Sequence, residues 1–316
     1  MKTDYLLLPE PLNRLNDVFF KYVLASPERK HITIAFLNAV LNYRLPKGEK
    51  PIEIEDLEFL DRETTVLAEG MKGARFDVFV RSKDGRMFHI EVQTVREKFF
   101  MKRSFYYAAV DYTGQLERGM SYEKLEPVIF IGLMNFTLFG DVRHPEKWYS
   151  LHKFLDTETH ECSLNAVEFH MVELPLLKKH LSNPDVKPMD KFEEILCYFG
   201  RIGGDDLLDE IAERNPTVRE LRFAESIFRK NPIAFRNYLI NERARIDDEN
   251  NRRTELEEAK AKALEQGLEQ GLEQGLTRGR KENAVENARS LRLQGILTDE
   301  QIAQALSLPI EIVETL

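Results

Sequence analysis

Apolar side chains recur with a helical period over residues 12–25, where Leu15, Val18, Phe19, Tyr22 and Val23 fall on one stripe. A second stripe follows Pro27 and uses Ile32, Ile34, Phe36, Leu37, Val40 and Leu41; Pro46, Gly48 and Pro51 end it. The period then shortens to two. Residues 52–60 alternate apolar with acidic positions, as a half-buried strand does. Residues 75–81 and 87–93 are two apolar runs joined by Ser82-Lys83-Asp84-Gly85-Arg86, and Asp-Gly between such runs predicts a hairpin. A helical pattern returns over 99–116, and 127–139 is dense in Val, Ile and Phe, as a buried strand is. The predicted order is helix, three strands, helix, strand, which is an α/β fold. Two further strands are expected over 150–155 and 167–174. Pro175, Pro184 and Pro188 mark a boundary, and from Met189 onward the pattern is helical, with stops at Gly203-Gly204 and before Pro216 and Pro232.

Residues 241–283 are highly charged and weakly apolar, and Glu-Gln-Gly-Leu repeats three times over 265–276. Leu264, Leu268, Leu272 and Leu276 recur every four residues, so their stripe drifts around a helix instead of forming a heptad seam. Each interior glycine costs about 1 kcal/mol relative to alanine. The segment predicts a long, marginal helix or a linker, serving either self-association or spacing. Residues 284–316 regain a pattern of short helices that could form a helix-turn-helix. The last segment, 309–316, has two acids and no Lys or Arg, which favours packing against protein over reading DNA. The expected organisation is a domain over 1–180, a helical region over 181–240, the charged helix or linker over 241–283 and a small helical tail over 284–316.

Composition narrows the class. The chain has 316 residues, 42% of them apolar, enough for a packed core, which excludes global disorder. The longest near-continuous apolar stretch, 128–139, is too short to span a bilayer, so no membrane is expected. Residues 1–10 lack a basic stretch followed by an apolar block, so no secretory signal is expected. Cys162 and Cys197 stand in no ligand-like spacing; neither a disulfide framework nor a cysteine zinc site is expected, and a reducing, cytoplasmic compartment is. No phosphate-binding G-x-x-x-x-G-K-[ST] loop and no G-x-S-x-G elbow occurs. The formal charge of −9 argues against coating nucleic acid by bulk charge. Within it, residues 72–103 carry nine Lys or Arg against four acids, either a solvated face or a local phosphate-binding surface.

The sharpest candidate chemistry lies in the hairpin. Asp77 sits at the start of one predicted strand, and Glu91 and Gln93 at the end of the next. Alternation puts Glu91 and Gln93 on one face and Ile90 and Val92 on the other. A hairpin brings Asp77 beside Glu91, where two carboxylates repel and raise each other's pKa. A hard divalent ion, Mg²⁺ or Mn²⁺, relieves that repulsion. The alternative is a pair of exposed acids at strand ends. Gln93 could orient a water or a phosphate oxygen but supplies no charge. His89 shares the face of Glu91, as a further base, as a phosphate contact or as a packed side chain. Lys21 lies one helical turn after Asp17, to contact phosphate, to pair with Asp17 or to stand exposed.

Asp77 followed by Glu91-Val92-Gln93 after a hairpin resembles the PD-(D/E)XK nuclease superfamily and, within it, the Rpn family of recombination-promoting nucleases. Asn16-Asp17-Val18-Phe19-Phe20-Lys21 resembles that family's N-terminal helix motif. Arg103 to Tyr107, with Tyr112, Gln115-Leu116, Gly119 and Tyr122, resembles its helix after E-x-Q, and 167–174 the closing strand of its core. Phe76 stands where the superfamily has Pro, and Gln93 where it usually has Lys. The resemblance implies a restriction-endonuclease-like α-β-β-β-α-β core with a helical C-terminal region, and a metal-dependent DNA endonuclease tied to recombination or mobile elements. It implies Asp77, Glu91 and the Val92 carbonyl as metal ligands, with Mg²⁺ expected and Mn²⁺ or Ca²⁺ as alternatives. It implies Gln93 and Asp17 as further catalytic residues, and Lys21, Lys102 and Arg103 as DNA contacts. DNA and a second copy of the chain, joined through the C-terminal helices, are the expected partners. A non-catalytic, oligomerising scaffold that keeps the fold and binds DNA or protein is the rival reading.

Overall fold

Two helices lead into the sheet. α1 spans Asp17–Leu24 and buries Phe19, Phe20, Val23 and Leu24; α2 spans Lys30–Leu41 and buries Ile32, Phe36, Leu37 and Val40. Strands β1 (Leu57–Phe59), β2 (Val78–Ser82) and β3 (Met87–Gln93) follow, then α3 (Phe100–Thr113) and β4 (Val128–Met134). β5 (Tyr149–Phe154), β6 (Leu164–Glu173) and α4 (Leu174–Leu181) come next, then α5 (Lys191–Gly200), α6 (Gly204–Arg214) and α7 (Pro216–Lys230). α8 (Pro232–Gln294), α9 (Asp299–Leu306) and α10 (Ile310–Glu314) end the chain. The structure is a computed structural model that describes residues 11–45, 48–60, 77–139, 147–182 and 188–316. The absence of a signal expected over 1–10, the helix stop at Pro46, the strand start over 75–76, Lys72 and Arg75 of the basic segment, and Pro184 lie outside the described residues.

The six strands form one mixed sheet in the order β1-β2-β3-β4-β6-β5. The β1–β2–β3 portion is antiparallel; β3, β4 and β6 run parallel, and β5 returns antiparallel to β6. This is the restriction-endonuclease-like α/β arrangement. All seven residues of β4 are buried, as both-face coverage of a parallel strand requires. Period-two alternation divides the core. Phe88, Ile90, Ile131 and Val172 face a layer built from α1, α2, α5 and α7, while Phe79, Met87, Phe130 and Met171 face Phe100 and Ala108 of α3.

The strand expected over 52–60 contracts to β1, for a visible reason. Asn42 accepts from the Ile52 N–H and donates to the Ile52 carbonyl, both at 2.7 Å. Asn38 does the same for Ile54, at 2.7 and 3.2 Å. Side chains of α2 thereby take the place of a neighbouring strand. β4 ends at Met134 rather than running to 139, because the Leu138 and Phe139 N–H groups turn to the buried Glu173 carboxylate, at 2.6 Å and 3.2 Å. Pro175 opens α4 instead of marking only a boundary; in the first turn its missing N–H costs nothing.

The described chain divides into two compact units, Met1–Ala244 and Arg245–Leu316, and α8 runs through the division as one continuous helix. Within the second unit, Ala288 of α8 packs with Ile302, Ala303 and Val313 of α9 and α10. Thr298 and Gln301 cap α9 reciprocally. A Cβ at Gly267, Gly271, Gly275 or Gly279 would meet nothing within 4 Å, so close packing inside the unit does not require those glycines.

Replacing Asn42 with Ala strands the backbone groups of Ile52. Urea unfolding is expected to show a loss of about 1–3 kcal/mol with the m-value unchanged.

Candidate active site

The site begins with the cap of α1. Asn16 Oδ1 accepts from the Val18 N–H at 3.0 Å, which starts the helix at Asp17 and sets an acid in its first turn, where the helix dipole favours one. One turn later, Lys21 pairs with Asp17. The Lys21 Nζ also lies 3.1 Å from Asp77 Oδ1, so α1 hands a cation to the start of β2. The other Asp77 oxygen accepts from the Val92 N–H at 2.9 Å.

The register fixes the second carboxylate. Val78 pairs with Ile90, which places Asp77 beside Glu91. Alternation puts both on the α3 face, shared with Phe79 and His89, whose rings stack at 4.4 Å. Across β4, Glu91 pairs with Gly132. Gln93 is tied down: its Nε2 donates to the Val95 carbonyl and to Glu97 Oε1, both at 3.0 Å, and its Oε1 accepts from Arg103 at 3.1 Å. Arg103 also pairs with Glu97.

Burial and mutual repulsion govern the charges. Burial first, then a hydrogen bond that the protonated Asp77 donates to Asp17, raises the Asp77 carboxyl to about 6, against the pull of Lys21 and the Val92 N–H. Burial, then the charge of Asp77, holds Glu91 well above the usual carboxylate range, against Arg103 and Lys21. Without a further cation the pair holds its protons more tightly than free carboxylates do. Two such carboxylates with an adjacent backbone oxygen suit a hard divalent ion that keeps waters and a substrate phosphate in its remaining positions. Among the described residues no set of three or more His, Cys, Asp or Glu is grouped as a metal site.

Of the residues singled out by sequence, Asp17, Lys21, Asp77, Glu91, Gln93 and Arg103 belong to one linked cluster. The Val92 N–H enters it as the donor to Asp77. Lys102 is exposed on α3, next to Arg103. His89 is fully buried, with its Nε2 2.9 Å from Asp111 Oδ2, so it is packed beneath the site and does not reach solvent. Sequence reasoning missed Glu97, which had counted only as one acid within a basic segment. It also missed Asn241 and Glu242, which accept from Asn16 Nδ2 at 2.9 and 2.8 Å. Asn16 itself had a local signal, an N-cap residue before an acid; its partners 225 and 226 residues away had none.

A sheet whose adjoining strands bring two acids together under a helix-borne cation defines a nuclease-like α/β protein. A family model described as PD-(D/E)XK nuclease family transposase matches residues 14–255, and the chain belongs to that family. The match takes in the whole cluster, from Asp17 to Arg103, and the first turns of α8. No curated protein and no solved structure matches the chain.

Because Asp77 binds its proton more tightly when folded than unfolded, its ionisation weakens the metal-free fold as pH rises from about 4 through 6. Asp77→Asn, which keeps one acceptor oxygen, is expected to raise unfolding free energy at pH 8 by about 1–2 kcal/mol and by less at pH 5. Urea titrations of the metal-free protein at the two pH values check this.

Proposed function

We propose that the protein is a metal-dependent DNA endonuclease that hydrolyses phosphodiester bonds, with Asp77, Glu91 and the Val92 carbonyl holding the divalent ion, Mg²⁺ in the cell. The observation that carries this reading is the convergence of two half-buried carboxylates, both pushed above their ordinary pKa, one just before β2 and one on β3. When bound, such an ion polarises a phosphoryl oxygen and lowers the pKa of a water enough to make it a nucleophile.

The chain's own residues do the rest. Gln93 is neutral where the superfamily usually has a lysine, and Lys21 supplies a positive charge from α1 instead, held in place by Asp17 and Asp77. Its ammonium offsets the charge that develops on the phosphate. Arg103, fixed against Gln93 and Glu97, presents its remaining donors to a backbone phosphate, and the exposed Lys102 extends that contact. Gln93, with its amide orientation set by Glu97 and Arg103, positions a water or a phosphate oxygen.

The same proposal includes a role in recombination or mobile-element biology, in keeping with the family's description. It includes the nuclease domain at 1–180 with helical regions after it, and a cytoplasmic setting, consistent with the free Cys162 and Cys197. Among the described residues no helix is long and apolar enough to cross a membrane. Self-association through 241–283 is supported by the exposed Leu264, Leu268, Leu272 and Leu276.

Supercoiled plasmid incubated with Mg²⁺, Mn²⁺ or Ca²⁺ tests the reading. The parent protein nicks with at least one of these ions, and Asp77→Ala slows nicking by about a hundredfold or more. Equal nicking by the variant refutes the site; no nicking with any ion, together with loss of assembly on removing the tail, supports the scaffold reading. A second expectation concerns Ca²⁺ affinity, measured calorimetrically. It strengthens from pH 5.5 to 7.5, since Asp77 sheds its proton near 6 and Glu91 above its usual range.

A further inference from the structure

α3 buries Phe100, Ser104, Ala108 and Asp111 against the sheet. An ordinary amphipathic helix would place charged and small polar groups on the remaining surface. Instead, Phe99, Lys102, Arg103 and Tyr106, at i, i+3, i+4 and i+7, form one stripe along its outer flank. Phe99 is 61% exposed and Tyr106 36% exposed, and Lys102 reaches into solvent. The Lys98 ammonium lies 5.4 Å from the centre of the Phe99 ring. The stripe is continuous with the candidate active site, because its Arg103 bonds to Gln93. Phe105 is different: its ring turns to Phe154 and Phe169, at 6.4 and 6.1 Å, and serves packing near β5 and β6.

We infer that this outer flank of α3 stacks unpaired bases, so that the DNA taken by the site is single-stranded beside the cleaved phosphate. Three features point to that occupant. From 96 to 106 the chain carries four Lys or Arg against one Glu, which calls for a polyanion. Aromatic faces between the cations call for flat partners, which a strand with unstacked bases offers and an intact duplex does not. The stripe also includes the side chain that bonds to Gln93, so a strand lying along it passes beside the carboxylates. The inference rests on the nuclease reading for where the cut falls, while the stacking itself requires no metal and no cleavage.

The test is therefore a binding measurement on the full chain in EDTA. Fluorescence anisotropy would compare labelled oligothymidylate of about 20 nucleotides with a duplex of the same length. The single strand is expected to bind more tightly. Phe99→Ala and Tyr106→Ala each lower its affinity by about tenfold, while duplex affinity moves by less than about twofold. Phe99→Trp retains the affinity for the single strand. Lys102→Ala weakens both ligands alike and reduces the salt dependence of both. Thermal melting of each variant, compared with the parent, checks that the fold is kept, and Phe99→Trp separates stacking from packing should an alanine variant melt early. Equal wild-type affinity for the two ligands overturns the inference, as do parallel losses for both ligands on removing a ring. Single-strand affinity unmoved by either ring removal also overturns it, and is what a protein-docking stripe would give. Loss of nicking with the single-strand preference intact would count against the nuclease reading alone.

Discussion

Two carboxylates held side by side in a partly dry environment cannot both ionise without a compensating charge, and much of this fold's local design follows from that constraint. Asp77 and Glu91 occupy neighbouring positions because β2 and β3 are joined by a tight Asp-Gly turn, which fixes the register. The sheet then has to bring cations to them from both sides. α1 provides Lys21, aligned by its pairing with Asp17, and α3 provides Arg103. Neither helix could slide by a turn along the sheet without leaving a half-buried acid without its cation.

The identity of residue 93 fits the same logic. A lysine there would stand next to Arg103, and Glu97 would have to balance two cations. Glutamine accepts from Arg103 through its oxygen and donates to Glu97 through its nitrogen, so all three polar groups are satisfied by one another. The positive charge is moved off the strand and onto α1. The consequence is a site whose cation and acids belong to different elements, so that their separation depends on how α1 is seated.

The placement of these residues was legible in the sequence to the extent that short-range geometry dictated it. The hairpin juxtaposes Asp77 and Glu91 through its turn chemistry, and Asp17 and Lys21 meet because they are four residues apart on a helix. Apolar runs located β2, β3 and β4, since β3 and β4 are buried along most of their length. Legibility failed where a side chain replaced a backbone partner. Asn38 and Asn42 end the expected strand at 52–60 early, Glu173 turns the chain after β4, and Glu97 joins the site from a loop with no periodicity to mark it. Pro175 was ambiguous for another reason: a residue that stops one helix is equally suited to open the next.

The seating of α1 is where local and distant sequence meet. Its cap, Asn16, is held by Asn241 and Glu242, while Asn13 donates to both Glu242 oxygens and, through its backbone N–H, to the Tyr238 hydroxyl. Glu242 is nearly buried, and these contacts belong to the first compact unit. A buried carboxylate that accepts from two amide side chains loses those bonds if either helix shifts, and the penalty for stranding it exceeds what each bond contributes when made. The first three turns of α8 are therefore part of the frame that seats α1, although they lie about 140 residues beyond Gln93 in the chain. These contacts lie within a family match that does not stop at the sheet but continues through residue 255. The start of α8 thus holds the cap of α1, the helix that carries both Asp17 and Lys21.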